Sequence, residues 1–439
     1  MVKYIDLQNS ENRINNFDGA AISHDCSIDT KTNKIVANII DDIAKDSNKI
    51  LEYTKKFENW DCSFDNIKID PEEIQAADRG VSSELYEALR FAYQRIISYH
   101  KKQTPKDMVY KDELSVDLGW KWYPIEKVGL YIPAGVTSYP SSVLMTAAIA
   151  NAAGVKEVNI VTPCKGGKIS QTILAAAKIA NVKNIFKIGG AQSIAALTFG
   201  VNIKGKNIIP KVDKIYGPGN KYVTEAKRQL FGKVGIDMLA GPSEIMIIAN
   251  SKISAKWIAA DLLAQAEHDA NARVYLVTDE KDFAQEVEVE IKRYLKNNQS
   301  ETAKAAIQEN CFFYIVSDLV KDAINLANLI APEHLEISVD NFKDYTDEIT
   351  KAGAFFLGRY SCESLGDYVA GASHVLPTSG SARFCSGLSI FDFMRRTSTL
   401  HVNKKAFSEI SKAAKLIADA ESLQFHAEAI TARRDYEAK

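Results

Sequence analysis

Nine short apolar runs, each about the length of a β-strand, follow one another between residues 128 and 358. They are VGLYI (128–132), EVNIVT (157–162), IFKIG (185–189), DKIYG (213–217), EIMIIA (244–249), RVYLVT (273–278), CFFYIVS (311–317), LEISV (335–339) and AFFLG (354–358). Helical patterns separate most of them. Strands that are apolar throughout and alternate with helices are typical of parallel sheets covered on both faces. Nine strands would strain one sheet, so we expect two, with a boundary near AGPSE (240–244).

The two ends of the chain have a different pattern. Residues 1–110 are predicted to be mainly helical, because residues 34–59 and 71–103 carry apolar side chains at three- and four-residue steps. Residues 404–439 are charged and helical. The predicted fold is therefore α/β: two doubly wound, incomplete Rossmann-like parallel-sheet domains, with a helical N-terminal region and a C-terminal helical arm.

These patterns predict four segments. They are an N-terminal arm of residues 1–25, a first α/β domain of residues 26–130 with 243–385, a second α/β domain of residues 131–242, and a C-terminal helical arm of residues 386–439.

Composition limits the partners and the compartment of this chain of 439 residues. Lys and Arg number 54 and Asp and Glu 56, so the net charge of −2 favours neither nucleic acid nor a membrane surface. No apolar run approaches the roughly 18 residues of a membrane span. The first twenty residues lack the apolar core of a secretory signal, and the six cysteines form no CxxC pair. We expect a cytoplasmic protein.

Loops rich in Gly, Pro and Ser follow several of the predicted strands. They are YIPAGVTSYPSS (131–142), IGGAQSIAAL (188–197), IYGPGNKYVTEA (215–226) and LAGPSEI (239–245). Ligands of open parallel sheets bind at such strand ends, and helix N-termini there favour anions. The dinucleotide fingerprint GxGxxG is absent, because Tyr222 stands where its third glycine would be. These loops therefore indicate either a nucleotide site or only tight connections.

Two histidines have neighbouring residues that suit cation binding or acid–base catalysis. Gln265 and His268 stand three residues apart at the end of a predicted helix, so both can offer a donor atom to one cation. Glu333 and His334 lie where a helix ends at Pro332 and a strand begins. A carboxylate beside an imidazole suits general acid–base catalysis, although an ordinary polar turn has the same composition.

Two further histidines lie near the end of the chain. The predicted loop at residues 362–384 contains Asp367, an oxygen ligand candidate, and His374, which is equally compatible with a structural role. Glu421 and His426 lie five residues apart in the last segment, where an exposed helix is the simpler interpretation.

Taken together, these motifs resemble the histidinol dehydrogenase family. The resemblance rests on VGLYIPAGVTSYPSSVLMTAAIANAAGV, IGGAQSIAAL, VDKIYGPGNKYVTEAKRQLFG, IDMLAGPSEIMIIA, DLLAQAEHD, IAPEHLEI, GDYVAGASHVLPTSGSARFCSGLSIFDFMRR and the final His426, in that order. It covers the chain from about residue 26 to its end. The chain departs from the family at three places. NIKGKN (202–207) has the appearance of an insertion and is predicted to form a longer surface loop, and Cys362 and Ser373 are the other two departures.

The resemblance implies an NAD-dependent, four-electron oxidation of L-histidinol to L-histidine through L-histidinal, the last step of histidine biosynthesis. It implies one Zn²⁺ per subunit, bound by Gln265, His268 and Asp367 of one chain and His426 of the partner in a homodimer. Glu333 and His334 match the catalytic pair. Tyr131, Gln192 and Asn220 match NAD contacts. The implied substrate contacts are Ser243, Gln265, His268, His334, Asp367, Glu421 and His426.

The resemblance also gives the segments their roles. The first α/β domain would carry the metal and catalytic residues, the second would bind NAD, and the C-terminal arm would cross the dimer interface.

Two other classes of protein fit the same residues. A zinc-dependent hydrolase would use the His, Asp and Gln set without NAD, with Glu333 activating a zinc-bound water. A non-catalytic binding protein would hold a small ligand between two α/β lobes, but that class has no need for Glu333 and His334 beside a metal set. Formation of NADH from L-histidinol separates both classes from a dehydrogenase.

Overall fold

The computed structural model describes residues 2–8, 29–134 and 138–437. Most of the predicted N-terminal arm of residues 1–25 lies outside the described residues, as does part of the loop after residue 134. The chain divides into two compact units, Met1–Gln103 with Ile125–Asp392, and Thr104–Pro124 with Phe393–Lys439. The predicted boundaries between the α/β domains stay a prediction.

The strands, named in chain order, are β1 (Lys3–Asp6), β2 (Met108–Lys111), β3 (Asp117–Pro124), β4 (Lys127–Tyr131), β5 (Glu157–Val161), β6 (Asn184–Phe186), β7 (Val201–Ile203), β8 (Lys206–Ile209), β9 (Lys214–Tyr216), β10 (Gly235–Ile236), β11 (Glu244–Ala249), β12 (Arg273–Thr278), β13 (Cys311–Ile315), β14 (His334–Ser338), β15 (Ala354–Leu357) and β16 (Met394–His401).

The α-helices are α1 (Thr30–Lys45), α2 (Lys49–Glu58), α3 (Pro71–Gln75), α4 (Ser83–Lys101), α5 (Pro140–Ala153), α6 (Gln171–Ile179), α7 (Gly190–Phe199), α8 (Lys221–Leu230), α9 (Ala255–Ala266), α10 (Lys281–Asn298), α11 (Glu301–Asn310), α12 (Leu319–Ile330), α13 (Lys343–Thr346), α14 (Glu363–Tyr368), α15 (Lys404–Ala420) and α16 (Gln424–Glu437). Among the described residues, no helix combines the length and the apolarity that crossing a membrane requires.

The first sheet contains six strands in the order β1-β13-β12-β11-β14-β15, and every neighbouring pair is parallel. All six residues of β11 are buried. Ile245 and Ile247 pack into the core on one face of the sheet, and Met246 and Ile248 pack into the core on the other. Helices cover both faces, which is why this strand is apolar at every position after Glu244.

The second sheet contains five strands in the order β10-β9-β4-β5-β6, again all parallel. The strand order reverses at β4, so the loops after β4 and β9 meet at one edge of the sheet. Gly217, directly after β9, has a φ of 109°, and a Cβ there would lie 2.1 Å from the main-chain oxygen of Tyr131. Only glycine allows this close approach of the two loops.

The second compact unit has a different architecture. β16 pairs with β3, and β3 pairs with β2, in an antiparallel sheet. The helices α15 and α16 follow, separated by Ser422, whose φ is 60°.

The nine predicted strands of the two parallel sheets are confirmed, as is the α/β fold. Three predictions need correction, two of them about the ends of the chain. The N-terminal region is not helical at Lys3–Asp6 or Met108–Lys111, which are strands. The segment 386–439 is helical only from Lys404, because Met394–His401 form β16. The NIKGKN segment is not a plain loop, since it lies in the hairpin of β7 and β8.

Candidate active site

A cavity of about 700 Å³ opens in the first unit beside the loops that follow strands of both parallel sheets. From the second sheet its lining includes Pro133, Gly219 and Asn220. From the first it includes Ser243, Gln265, His268, Asp269, Glu333, His334, Glu363, Asp367 and His374. The carboxyl ends of parallel strands are where such folds bind ligands. The predicted catalytic pair, Ser243 and three of the four predicted metal ligands therefore line one cavity.

The main-chain N–H and C=O of a single residue, Glu244, contact both members of the predicted catalytic pair. The N–H of Glu244 donates to Oε2 of Glu333 at 3.0 Å, and the carbonyl oxygen of Glu244 lies 3.0 Å from Nδ1 of His334. The contact arises because β11 and β14 are neighbours in register, with Ile245 opposite His334. The AGPSE turn and the PEHLE segment, about 90 residues apart, thus form one functional element.

The Glu244 contact determines which nitrogen of His334 is available. A carbonyl oxygen only accepts hydrogen bonds, so Nδ1 carries the hydrogen and Nε2 presents a lone pair. Nε2 is buried and has no hydrogen-bond partner within the described residues. Burial lowers the pKa of His334 to about 4, which outweighs the opposing effect of Asp367 and the bond to Glu244. The neutral ring is therefore ready to accept a proton at Nε2.

Glu333 is buried next to this imidazole, with Oε2 3.8 Å from Nδ1 of His334. Burial raises the pKa of Glu333 well above its ordinary value, and the Glu244 and Asp367 carboxylates raise it further. The Glu244 N–H and the Ser243 side chain oppose this shift by hydrogen bonding. A positively charged ligand in the cavity favours the ionised form of Glu333.

The predicted metal ligands of this chain come from two elements. Gln265 is buried in the last turn of α9. His268 follows in a turn, where its N–H donates to the main-chain carbonyl of Gln265. Asp367 lies on α14, and its Oδ2 is 3.9 Å from Nε2 of His268. The segment 362–384, predicted to be a loop, thus contains a helix that presents the aspartate.

The donor set fits Zn²⁺. Oε1 of Gln265 is buried without a hydrogen-bond partner among the described residues, and an unpaired buried amide oxygen costs about 1–3 kcal/mol. Imidazole nitrogen, amide oxygen and carboxylate oxygen are all acceptable zinc ligands. A cation that binds Gln265, His268 and Asp367 would satisfy the amide oxygen.

Glu363 was not identified from the sequence. It begins α14, is buried, and places Oε1 3.6 Å from Nδ1 of His334. His334, Glu363 and Asp367 each offer a ligand atom within 4.8 Å of the others, which makes them a second possible metal set. Burial raises the pKa of Glu363 well above its ordinary value, and the nearby Asp367 and Glu333 carboxylates add to this. Glu363 and Asp367 are four residues apart, which places both on one face of a helix, and this spacing could have identified Glu363 from the sequence.

His374 supports the helix that carries Asp367. Its Nδ1 donates to the main-chain oxygen of Asp367 at 3.2 Å, and burial lowers the pKa of its ring.

The residues predicted to contact NAD occupy different positions. Asn220 lines the cavity and caps α8, with Oδ1 accepting the N–H groups of Tyr222 and Val223. Tyr131 and Gln192 are 2% and 1% exposed and are not among the described residues that line the cavity. Tyr131 ends β4 and Gln192 lies in the first turn of α7, where the Gly190 N–H donates to the Tyr131 hydroxyl at 3.4 Å.

Glu421 and His426 belong to the second unit. Glu421 follows the last residue of α15, His426 lies in the first turn of α16, and both are exposed. The break between the two helices therefore separates them.

Comparison with known proteins identifies relatives along nearly the whole chain. A family model described as histidinol dehydrogenase matches residues 24–434. The histidinol dehydrogenase of Agrobacterium fabrum is 46% identical over 403 residues, which is 91% of this chain and 92% of that protein. The Caulobacter vibrioides histidinol dehydrogenase is 46% identical over 86% of each chain. The crystal structure of histidinol dehydrogenase from Elizabethkingia anophelis is 35% identical, with a TM-score of 0.91, and covers 100% of this chain and 99% of that one.

Proposed function

The chain belongs to the histidinol dehydrogenase family, and from this premise we propose that it oxidises L-histidinol to L-histidine through L-histidinal, reducing two NAD⁺. This is the last step of histidine biosynthesis. The observation that carries the proposal is the pairing of Glu333 and His334 through the main-chain N–H and C=O of Glu244 beside the cavity. The pair supplies two proton acceptors, the His334 imidazole and the Glu333 carboxylate, where the loops of the two sheets meet.

His334 is the proton acceptor of the first oxidation. The hydroxyl proton of L-histidinol passes to Nε2 of His334 while the carbon-bound hydride passes to NAD⁺, giving the aldehyde and NADH. Glu244 keeps the hydrogen on Nδ1, so the lone pair stays on the side that has no other partner. The ring therefore needs no tautomer change before it reacts.

Glu333 and His334 together serve the second oxidation. Glu333 accepts a proton from water as the water oxygen adds to the aldehyde carbon. His334, protonated in the first oxidation, donates its Nε2 proton to the carbonyl oxygen, so the product is a hydrate and His334 is neutral again. The hydrate gives its hydride to the second NAD⁺ and a hydroxyl proton to His334, leaving the carboxylic acid. The bond from Glu244 keeps the Glu333 carboxyl from turning away from this position.

Gln265, His268 and Asp367 would hold one Zn²⁺, completed by His426 of a second subunit. When bound, zinc supplies an electrophilic anchor for the imidazole and amine of the substrate, which orients the hydroxyl carbon. Ser243 and Glu421 are proposed as further substrate contacts. The shared site requires a homodimer, and a cytoplasmic location is proposed because the family belongs to amino-acid biosynthesis.

NAD is assigned to the second sheet. Asn220 at the cavity has its Oδ1 engaged in capping α8, so its Nδ2 is the part available to the cofactor. The other proposed contacts are Tyr131, at the end of β4, and Gln192, in the first turn of α7.

The proposal is tested by adding L-histidinol and NAD⁺ to the purified protein and following NADH absorbance and L-histidine together. Two NADH per L-histidine are expected, with activity lost on chelation and recovered when zinc is returned. Zinc-dependent activity without NADH formation would instead support the hydrolase.

A further inference from the structure

The carboxylate of Glu58, the last residue of α2, connects two loops of the second sheet. Its Oε2 accepts the N–H of Cys164 at 3.0 Å, in the loop after β5, and its Oε1 accepts the N–H of Gly189 at 2.8 Å, in the loop after β6. Oε1 also accepts Nε2 of Gln192 at 3.3 Å. The two oxygens therefore satisfy donors on loops that follow neighbouring parallel strands.

These hydrogen bonds do not stabilise α2, the helix that ends at Glu58. A carboxylate at a helix C-terminus is opposed by the helix dipole, by about 0.3–1 kcal/mol at an exposed site. The same charge is favoured at the N-terminus of another helix, and Gly189 and Gln192 lie at the N-terminus of α7. The side chain of Glu58 thus stabilises α7 and its loop at the expense of α2.

Glu58 reaches both buried residues that are proposed to contact NAD. It bonds directly to Gln192. The N–H of Gly190, next to its partner Gly189, donates to the hydroxyl of Tyr131. Glu58 and Tyr131 therefore tie the ends of β4, β5 and β6 together. Burial raises the pKa of Glu58, opposed by its three donors.

We propose that Glu58 is a positioning residue for NAD, holding Gln192 and the loops after β5 and β6 in the arrangement that the cofactor needs. The proposal rests on the proposed NAD-dependent function. It also implies that the diphosphate of NAD does not bind at the N-terminus of α7, because the Glu58 carboxylate already occupies that position and would repel it.

Substitution of Glu58 by Gln tests the proposal. One of its two oxygens becomes an NH₂ group, which faces either the N–H of Cys164 or that of Gly189, so one loop must be released. Loss of a charge-assisted hydrogen bond predicts a rise of about tenfold in KM for NAD and in the Kd of NADH measured by fluorescence. KM for L-histidinol should stay unchanged, because Glu58 is not among the residues described as lining the cavity.

Two matched variants complete the experiment. Glu58→Asp keeps the charge but shortens the side chain, and should raise KM for NAD less than Glu58→Gln. Glu52→Gln removes an exposed carboxylate of the same helix, which pairs with Lys49, and should change neither constant. A variant that merely unfolds in part would lower kcat and the melting temperature without changing KM.

The possible outcomes separate the two proposals. Unchanged KM for NAD and unchanged Kd for NADH in Glu58→Gln would overturn the role of Glu58. A wild-type protein that binds NADH but does not oxidise L-histidinol would overturn the proposed function, and the fluorescence titration would still decide the role of Glu58.

Discussion

The imidazole of His334 is held by the main chain of Glu244, whose carbonyl oxygen lies 3.0 Å from Nδ1. Because this acceptor is a backbone atom of β11, no side-chain substitution at Glu244 removes it. The pairing of two parallel strands thus determines which ring nitrogen of His334 carries the hydrogen.

Substitution of His334 by Ala should lower kcat by about a hundredfold or more, because general base catalysis contributes at least that factor. Zinc content, measured by atomic emission after dialysis, should stay near that of the wild type. Loss of zinc from this variant would instead identify His334 as a metal ligand.

Substitution of Gln265 by Ala should reduce bound zinc and activity together, because Oε1 of Gln265 is buried without another described partner. Glu363→Gln is the matched comparison, since Glu363 belongs only to the second possible metal set. We expect this variant to retain zinc. The reverse result, with zinc kept by Gln265→Ala and lost by Glu363→Gln, would assign the metal to His334, Glu363 and Asp367.

A mixture of His426→Ala and His268→Ala subunits should recover activity that neither variant has alone. If each site takes His268 from one subunit and His426 from the other, hybrid dimers contain one intact site. Random exchange of equal amounts then predicts about a quarter of wild-type activity. Native mass spectrometry would establish the exchange, and no recovery after it would show that each site is built from a single chain.

Substitution of Lys227 by Met should lower the free energy of unfolding by about 3–5 kcal/mol, because it leaves the buried Asp237 without its cation. The Lys227 and Asp237 side chains are 3% and 1% exposed. Asp237 also accepts the N–H of Gly217 at 2.7 Å, so the pair supports the loop after β9.

Urea unfolding measures this effect, with Lys49→Ala as the control. Lys49 pairs with Glu52 at the surface, and its loss should cost under about 1 kcal/mol. Equal effects of the two substitutions would contradict the importance of the buried pair.

Substitution of Glu244 by Gln should change how stability depends on pH. Burial raises the pKa of Glu244 from 4.5 to about 7 in the folded protein. Between these values the folded state holds a proton that the unfolded state has released, so wild-type stability falls as pH rises. The whole contribution is about 3 kcal/mol at most.

Gln has no proton to lose, so the variant should gain stability relative to the wild type between pH 4.5 and pH 7. Urea unfolding at both ends of this interval measures the difference. A constant difference between the two proteins across the interval would mean that Glu244 does not titrate there.

The strands that were predicted and those that were missed differ in burial. β11 and β12 are buried almost throughout, so an unbroken apolar run is sufficient to identify each of them. All four residues of β2 are exposed, and β16 is mostly exposed and rich in polar side chains. Such strands are stabilised by neighbours that are distant in sequence, as when Met394 pairs with Pro124, and their local pattern carries little signal.

The sequence by itself determined the parallel α/β architecture, because a strand covered on both faces must be apolar at nearly every position. It also determined the candidates Gln265, His268, Asp367, Glu333 and His334, through residue types and motifs. Only the tertiary structure decided that Glu244 orients His334, that Glu363 joins the site and that Glu58 ties two loops to Gln192. Those contacts depend on strand register and on helices packed against loops, and hydrogen bonds between residues 89–134 positions apart leave no periodic pattern in the chain.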